Sequence, residues 1–326
     1  MEKQSANGNQ NLWREKFMRQ ADTTPYPADP GFPAVGKDMG ARPSWLTQRV
    51  KAEMFAVMKM MADLRLNTVC LGASCPNIGE CYGDRRATFL ILGRVCTRNC
   101  RFCDITKGEP EKVDPAEPAR LSVAVRQLGL RHVVITSVTR DDLEDGGARH
   151  FARCVETVRR ACPGVTIEVL VPDFLGDAKA VDTVLAAAPE VFNHNVETVP
   201  GLYPSVRPEA DYRRSLAVLE RAVRRGRGQV KTGLMLGMGE EEGQVLQVME
   251  ELAKIGVTFL TLGQYLSPTA GHWPVAQYVT PESFQHWRGI ALQMGFPKVA
   301  AGPLIRSSYD AAAMYRKSLP ASVRHV

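Results

Sequence analysis

Cys96-Thr97-Arg98-Asn99-Cys100-Arg101-Phe102-Cys103 places three thiols at the spacing C-x3-C-x2-C, directly after an apolar run from Ala87 to Val95. That run, with Phe89, Leu90, Ile91, Leu92 and Val95 and with Gly93 near its end, reads as a buried strand. The thiols therefore lie on a loop leaving a strand, which is where α/β folds place chemistry. Thiolates bind soft metals. A structural zinc site takes four protein ligands, and this triplet offers three. Three thiolates on a four-iron cluster leave one iron open to a small molecule. A disulfide or a partial zinc knuckle is the bland alternative.

A second triplet precedes the first. Cys70-Leu71-Gly72-Ala73-Ser74-Cys75-Pro76-Asn77-Ile78-Gly79-Glu80-Cys81 has the spacing C-x4-C-x5-C. Its glycines and proline predict a compact non-helical loop that turns three thiolates toward one point. One zinc site shared between the triplets is the alternative. The strand predicted between Cys81 and Cys96 makes such sharing awkward, so two clusters are expected. The other two cysteines, Cys154 and Cys162, fall in or just after a predicted helix and read as core or inert thiols.

The 326 residues suffice for one large α/β barrel or two ordinary domains. No run approaches the length of a transmembrane helix. Met1 to Gln10 lacks the apolar core of a secretion signal, and Glu2, Glu15 and Asp22 interrupt any basic transit-peptide pattern. A soluble cytoplasmic protein with no membrane contact is expected. Eight cysteines in such a chain point to metal rather than disulfides. Lys and Arg exceed Asp and Glu by 41 − 35 = 6, which favours an acidic partner. The excess is too dispersed for nucleic acid, since Arg213, Arg214, Arg221, Arg224 and Arg225 fit the solvated face of one helix.

Residues 1 to about 40 read as an irregular, partly disordered arm. A helix is expected from Ser44, its cap, with a stripe of Trp45, Val50, Met54, Val57 and Met61. After the Ala87–Val95 strand, a strand–helix rhythm sets in. Asp114, Pro115 and Glu117 predict a capping box opening a helix that Gly129 ends. Five more strands are expected at 132–138, 166–171, 191–196, 229–236 and 259–266. Helices follow near 147–161, 178–188, 212–225, 241–255 and 281–293, the last capped by Thr280 with Pro281 at its first position. Six strands alternating with helices imply a parallel sheet with right-handed crossovers, an α/β fold of the open or partial (β/α)6 barrel type. Residues 1–85 form an N-terminal extension carrying the second thiol set, 86–295 the barrel and 296–326 a C-terminal tail.

The strand ends are unusually polar. Thr136, Ser137, Thr139, Arg140, Asp141 and Asp142 end one strand, and Glu168 lies on the next. Asn193, His194, Asn195 and Glu197 follow, then Lys231, then Gln264 and Tyr265. One such residue has a bland explanation in an edge or a satisfied core hydrogen bond. Their recurrence predicts a polar ligand in the barrel mouth. The tail carries Arg306-Ser307-Ser308-Tyr309, which alone reads as a turn and helix cap.

Taken together these segments resemble the lipoyl synthase family of the radical S-adenosylmethionine (SAM) superfamily, over roughly Arg42 to Arg316. The resemblance rests on both thiol triplets, Cys75-Pro76-Asn77-Ile78-Gly79-Glu80-Cys81, His194 to Thr198, Thr232 to Gly237 and Arg306 to Tyr309. It implies a radical SAM partial barrel that inserts two sulfur atoms into an octanoyl chain. That chain is carried on a lysine of a lipoyl carrier domain, in the glycine cleavage H protein or 2-oxoacid dehydrogenase E2 subunits. It implies a 4Fe-4S cluster on Cys96, Cys100 and Cys103 that binds SAM. It also implies an auxiliary 4Fe-4S cluster on Cys70, Cys75 and Cys81, with Ser308 as its fourth ligand and Arg306 donating nearby. A low-potential electron donor is implied as well. Glu168 is the expected partner of the SAM ribose, and Ser137, Asn195 and Glu197 of other polar groups. The chemistry suits the substrate, because octanoyl carbons have no acidic proton for a base to take. The chain departs from the family at Tyr82, where Trp or Phe is expected, and at Trp273, where Leu is expected. Gly146-Gly147 is followed by Ala148 rather than the superfamily's Glu, which leaves the methionine-binding loop unassigned. Two rival readings remain: an RNA- or protein-directed methylthiotransferase, whose wider cysteine set and extra C-terminal barrel are not visible, and an iron–sulfur electron carrier, which has no use for polar strand ends.

Overall fold

The computed structural model describes residues 43–46, 51 and 53–316. The expected arm and Val50 lie outside the described residues. Among the described residues there are ten strands: β1 (Asn67–Thr68), β2 (Thr88–Ile91), β3 (Val95–Cys96), β4 (Thr106–Lys107), β5 (His132–Ser137), β6 (Thr166–Leu170), β7 (Val191–Asn193), β8 (Gln229–Leu236), β9 (Phe259–Gln264) and β10 (Lys298–Gly302). Eight form one sheet in the order β1-β2-β5-β6-β7-β8-β9-β10. β1 runs antiparallel to β2, and every other pairing in that sheet is parallel. β1 and β10 are not paired with each other, so the barrel is open.

Alternation along the strands separates two environments. Val133, Ile135, Ile167 and Val169 are fully buried in the main apolar cluster. The residues between them face the barrel interior, where Val134 lies in register with Glu168. The covering helices bury one stripe each. Tyr212–Arg225 buries Tyr212, Leu216, Val218, Leu219 and Ala222. Its arginines turn outward as the sequence predicts, Arg221 to Asp182 and Arg224 to Glu220. Thr280 caps Pro281–Gln293 by accepting from Ser283 N at 3.2 Å.

Four expectations change. The helix from Ser44 is instead a 3-10 turn, Ser44–Leu46, with a separate helix at Met54–Asp63. The Cys70–Cys81 segment is not free of helix. Val69–Gly72 and Ile78–Gly83 are short helices, the first capped by Thr68 Oγ1. Glu117 forms no capping box. Its carboxylate turns inward, accepting from Leu92 N at 2.9 Å with His150 Nε2 at 2.7 Å, and Asp114 alone accepts from Ala116 N. The sheet also continues past the expected boundary at 295 into β10, a seventh parallel strand. Its sequence, Lys298-Val299-Ala300-Ala301-Gly302, offers neither alternation nor β-branched density, so no strand signal marks it.

Beyond β10 the chain folds back along β9. Pro303 O accepts from Gln264 N at 3.3 Å, and Asn77 Nδ2 donates to Leu304 O at 2.7 Å. The approach is so close that a Cβ on Gly263 would lie 2.1 Å from Ile305 O. Only glycine admits the tail there. Gly263→Ala is expected to lift residues 303–310 from the sheet and destabilise the fold by about 1–3 kcal/mol, as overpacking does. Hydrogen exchange should rise at 304–310 while β5 to β8 keep their protection. Unchanged protection at 304–310 would show that this contact does not seat the tail.

Candidate functional site

The loop carrying Cys96, Cys100 and Cys103 leaves β2 and crosses the carboxyl ends of the strands. Its flanks pair as β3 and β4. Thr97 N donates to Thr139 O at 3.1 Å, and Thr139 N donates to Cys96 Sγ at 3.3 Å, so the loop is anchored just beyond β5. Arg98, only 4% exposed, turns inward. It donates to Asp141 at 2.6 and 2.9 Å and to Asp173 at 2.6 Å, carboxylates that follow β5 and β6. Arg101 N donates to Val206 O at 2.8 Å, and Trp273 N donates to Arg101 O at 2.9 Å. Phe102 packs on a small core of Val206, Met238, Tyr265 and Trp273. The departure at Trp273 is thus a packing element under this loop, its indole donating to Met238 O at 2.9 Å.

The other thiol loop stands at the open edge of the sheet. Tyr82 is fully buried there, and its hydroxyl lies 2.5 Å from Thr68 Oγ1, the cap of the helix that bears Cys70. The C-terminal tail crosses this loop. Tyr309 OH donates to Glu80 Oε1 at 2.9 Å, and Arg86 reaches Asp310 at 3.1 Å. Cys70, Cys75, Cys81, Arg306 and Ser308 line one cavity of about 230 Å³. The tail helix begins at Ala311 and Asp310 O accepts from Met314 N, so Ser308 is not its cap. The sequence alone permits the cap reading; the structure places Ser308 beside the thiols instead.

All eight cysteines are free thiols, which removes the disulfide alternative. Within each triplet the thiols feel one another. Burial, then the neighbouring Cys75, pushes Cys81 up to about 12, against Arg86. Burial raises Cys75 while Arg306 opposes it. Burial pushes Cys103 up to about 12, with Cys100 and Cys96 adding to the rise. Burial raises Cys100 as well, opposed by Arg207. Three thiols that resist shared ionisation are a donor set suited to a cation, which reverses that preference. Among the described residues no three His, Cys, Asp or Glu side chains stand close enough to share a single ion. In a polynuclear cluster each thiolate takes its own iron, and three separated thiols suit that arrangement.

The polar strand ends divide into two levels. Glu168, the expected ribose partner, is buried deep in the barrel and already engaged. Lys231 Nζ donates to it at 2.9 Å, and His132 Nε2 and Asn193 Nδ2 lie at 3.3 Å. Burial pulls its carboxyl up, but Lys231 and His132 hold it below the ordinary range. In this structure Glu168 forms the interior ion pair of the barrel with Lys231. Nearer the mouth, Ser137 Oγ, Asn195 Oδ1 and His194 Nε2 are buried without a hydrogen-bond partner. Buried polar atoms of this kind are rare and mark a place for a polar ligand. Asn195 Nδ2 donates to Glu197 Oε1 at 3.2 Å and to Ser307 Oγ at 3.1 Å. Burial raises Glu197, and Arg207 and Arg306 draw it down, so the tail arginine and the mouth carboxylate are neighbours. Gly146 and Gly147 both take left-handed φ, and Gly147 caps the helix Ala148–Ala161.

Sequence reasoning missed Arg98, Asp173, Arg207 and Ser307. Asp173 carries a faint signal, a carboxylate two residues past an apolar strand. Arg207 and Ser307 carry none, because their partners are set by the fold alone.

The family profile of the Radical SAM superfamily matches residues 90–252. The chain is 51% identical over 271 residues to the lipoyl synthase of Caldicellulosiruptor saccharolyticus, spanning 82% of this chain and 95% of that protein. It is 53% identical over 275 residues to the lipoyl synthase of Caldanaerobacter subterraneus subsp. tengcongensis, spanning 83% and 95%. Among solved structures, Streptococcus suis SuiB bound to S-adenosylmethionine is similar, with a TM-score of 0.51 at 11% identity over 69% of this chain and 53% of that one. At that identity the likeness is one of fold.

The Arg98 anchor makes a pH prediction. Burial raises the Asp173 carboxyl, but Arg98 overrides it and holds the group down to about 2, from an ordinary 3.8. A depressed carboxyl contributes stability in full above its unfolded value, and loses it as pH falls toward the folded one. Arg98→Gln removes the nearer of two arginines on the buried Asp173, leaving Arg214 at 3.2 Å, so its cost should fall below the roughly 3–5 kcal/mol of a fully stranded charge. Asp173 then protonates at higher pH. Acid unfolding followed by circular dichroism should begin at higher pH than in the wild type. An unmoved acid limb would show that the pair carries no weight.

Proposed function

We propose that this chain, which belongs to the lipoyl synthase family of radical SAM enzymes, inserts sulfur at C6 and C8 of an octanoyl group held on a lysine of a lipoyl carrier domain. Its place in lipoate biosynthesis, its SAM dependence and its first 4Fe-4S cluster follow from the family. The finer reading is that a second 4Fe-4S cluster, on Cys70, Cys75, Cys81 and Ser308, gives up the sulfur. The observation that carries it is the single cavity lined by those three thiols, Ser308 and Arg306.

When bound, the first cluster and SAM supply a 5′-deoxyadenosyl radical able to take hydrogen from an unactivated carbon. The chain's own residues bind, orient and exclude water. Cys96, Cys100 and Cys103 would hold that cluster. Ser137, Asn195 and Glu197, at the ends of β5 and β7, offer hydroxyl, amide and carboxylate to the polar groups of SAM. The buried floor of Glu168 and Lys231 closes the interior below them. At the second site a serine oxygen is a harder and poorer ligand for iron than a thiolate, which suits a ligand that must leave when sulfur is given up. Arg306 places positive charge beside Cys75 and can donate toward an anionic cluster. Octanoylated H protein and E2 lipoyl domains fit the substrate class, and the mild positive charge of the chain would favour an acidic carrier. A low-potential donor supplies electrons. No helix among the described residues is long and apolar enough to cross a membrane.

Ser308 gives the test. Ser308→Ala should leave a folded protein that still cleaves SAM but forms little or no lipoyl product. A loss of stability with normal product would instead mark a residue that only seats the tail. Ser308→Cys is sharper, because a fourth thiolate should retain the second cluster and block sulfur transfer. Lipoyl product at the normal rate from Ser308→Cys would refute the release of this ligand.

A further inference from the structure

The two thiol loops touch directly, at residues that ligate nothing. The Ser74 hydroxyl, one residue before Cys75, donates to Asp104 Oδ2, one residue after Cys103. Two residues away the contact repeats. Gly72 lies against Ile105, and a Cβ at Gly72 would stand 2.8 Å from Ile105 Cδ1. Ser74 holds a left-handed φ of 48°, so its backbone is strained into the position that points its hydroxyl across. On the far side of Asp104 stands His272, with Nε2 at 3.7 Å from Oδ1 and Nδ1 fixed 2.8 Å from Thr269 Oγ1. The Asp104 side chain is only 9% exposed, so it sits clamped between the two.

We propose that Asp104 is a positioning residue that sets the distance between the two thiol sets through Ser74. The proposal rests on the two-site reading above. A carbon activated at one site must reach sulfur held at the other, and geometry of that kind is intolerant of small displacement. The two loops are far apart in the chemistry they serve, yet one hydroxyl–carboxylate bond and one glycine contact register them. Losing the bond should leave both loops able to bind iron but let their spacing drift. SAM cleavage would then continue while sulfur insertion fails to follow.

The test uses reconstituted holoenzyme with an octanoylated carrier domain. Three readings are taken: iron and sulfide content, 5′-deoxyadenosine formed per lipoyl product, and the magnetic interaction between the reduced clusters by electron paramagnetic resonance. Ser74→Ala is expected to keep full iron, weaken or broaden the cluster–cluster interaction, and raise the 5′-deoxyadenosine-to-product ratio by up to about a hundredfold, the scale on which a misplacement of about 1 Å costs rate. Ser74→Asn, which tolerates left-handed φ and retains a donor, should restore both. An unchanged ratio and an unchanged magnetic interaction in Ser74→Ala would overturn the proposal. So would loss of iron from one site, which would make the bond a mere fold element. If Ser74→Ala does not fold, Asp104→Asn is measured by the same readings under the same criteria. A wild-type enzyme that cleaves SAM without ever forming product would overturn the functional reading instead, and that is seen before any variant is made.

Discussion

The site depends on the main chain of residues 303–305 lying flat against β9. A sheet whose first and last strands do not meet has a seam, and edge strands left open invite unwanted pairing. Here the chain covers that seam itself. After β10 it turns back, donates no strand, and seats Ile305 against the bare backbone of Gly263. From that seat the next residues can reach the second thiol loop. Ser308 lies 308 − 81 = 227 positions beyond Cys81, so no local preference could bring them together. Asn77 on Leu304 O, Glu80 on Tyr309 and Arg86 on Asp310 then hold the two segments face to face. All three anchors come from the thiol loop or its immediate flank. The loop and the tail therefore order each other.

The barrel interior is built on two floors for an energetic reason. A charge buried without a partner is costly, and a buried pair is tolerated only when its remaining hydrogen bonds are met. Lys231 and Glu168 meet that condition, with His132 and Asn193 completing the carboxylate. Such a group has little left to offer a ligand. One layer nearer the strand ends the balance differs, since Ser137, Asn195 and His194 each keep a buried polar atom unmet. Burial also lowers His194 to about 4, so its ring is neutral at ordinary pH and can accept or donate without carrying charge. The polar residues visible along the strands thus do two jobs, and only their height in the barrel tells which.

How far the sequence reached follows from how local each signal is. The six alternating strands and the Thr280 cap are written within a dozen residues each, and the structure holds them as expected. Glu117 was misread because a capping box and an inward carboxylate share the same three-residue spacing. The deciding contact, Leu92 N, lies 25 positions away. β10 escaped because Ala300, Ala301 and Gly302 take strand geometry from β9 beside them rather than from their own preference. Glu168 was placed on the right strand and face, but its partner Lys231 is 63 positions on. No spacing rule could pair them.

The charges around the thiols show why the loops and tail must act together. Each set has its own cations: Arg86 beside Cys81, Arg306 beside Cys75 and Arg207 beside Cys100. Two of these, Arg207 and Arg306, also share Glu197. That residue sits at a left-handed φ of 64°, a conformation non-glycine residues adopt at a cost of order 1–3 kcal/mol. It is held there by backbone bonds to β8, with Glu197 N donating to Gly233 O at 2.9 Å and Met235 N donating to Glu197 O at 2.8 Å. A carboxylate held in strain between two arginines, one serving each thiol set, cannot move without changing the field at both. The same side chain accepts from Asn195, which also holds Ser307 beside Ser308. Asn195 thus joins the Glu197 carboxylate to the tail through one side chain.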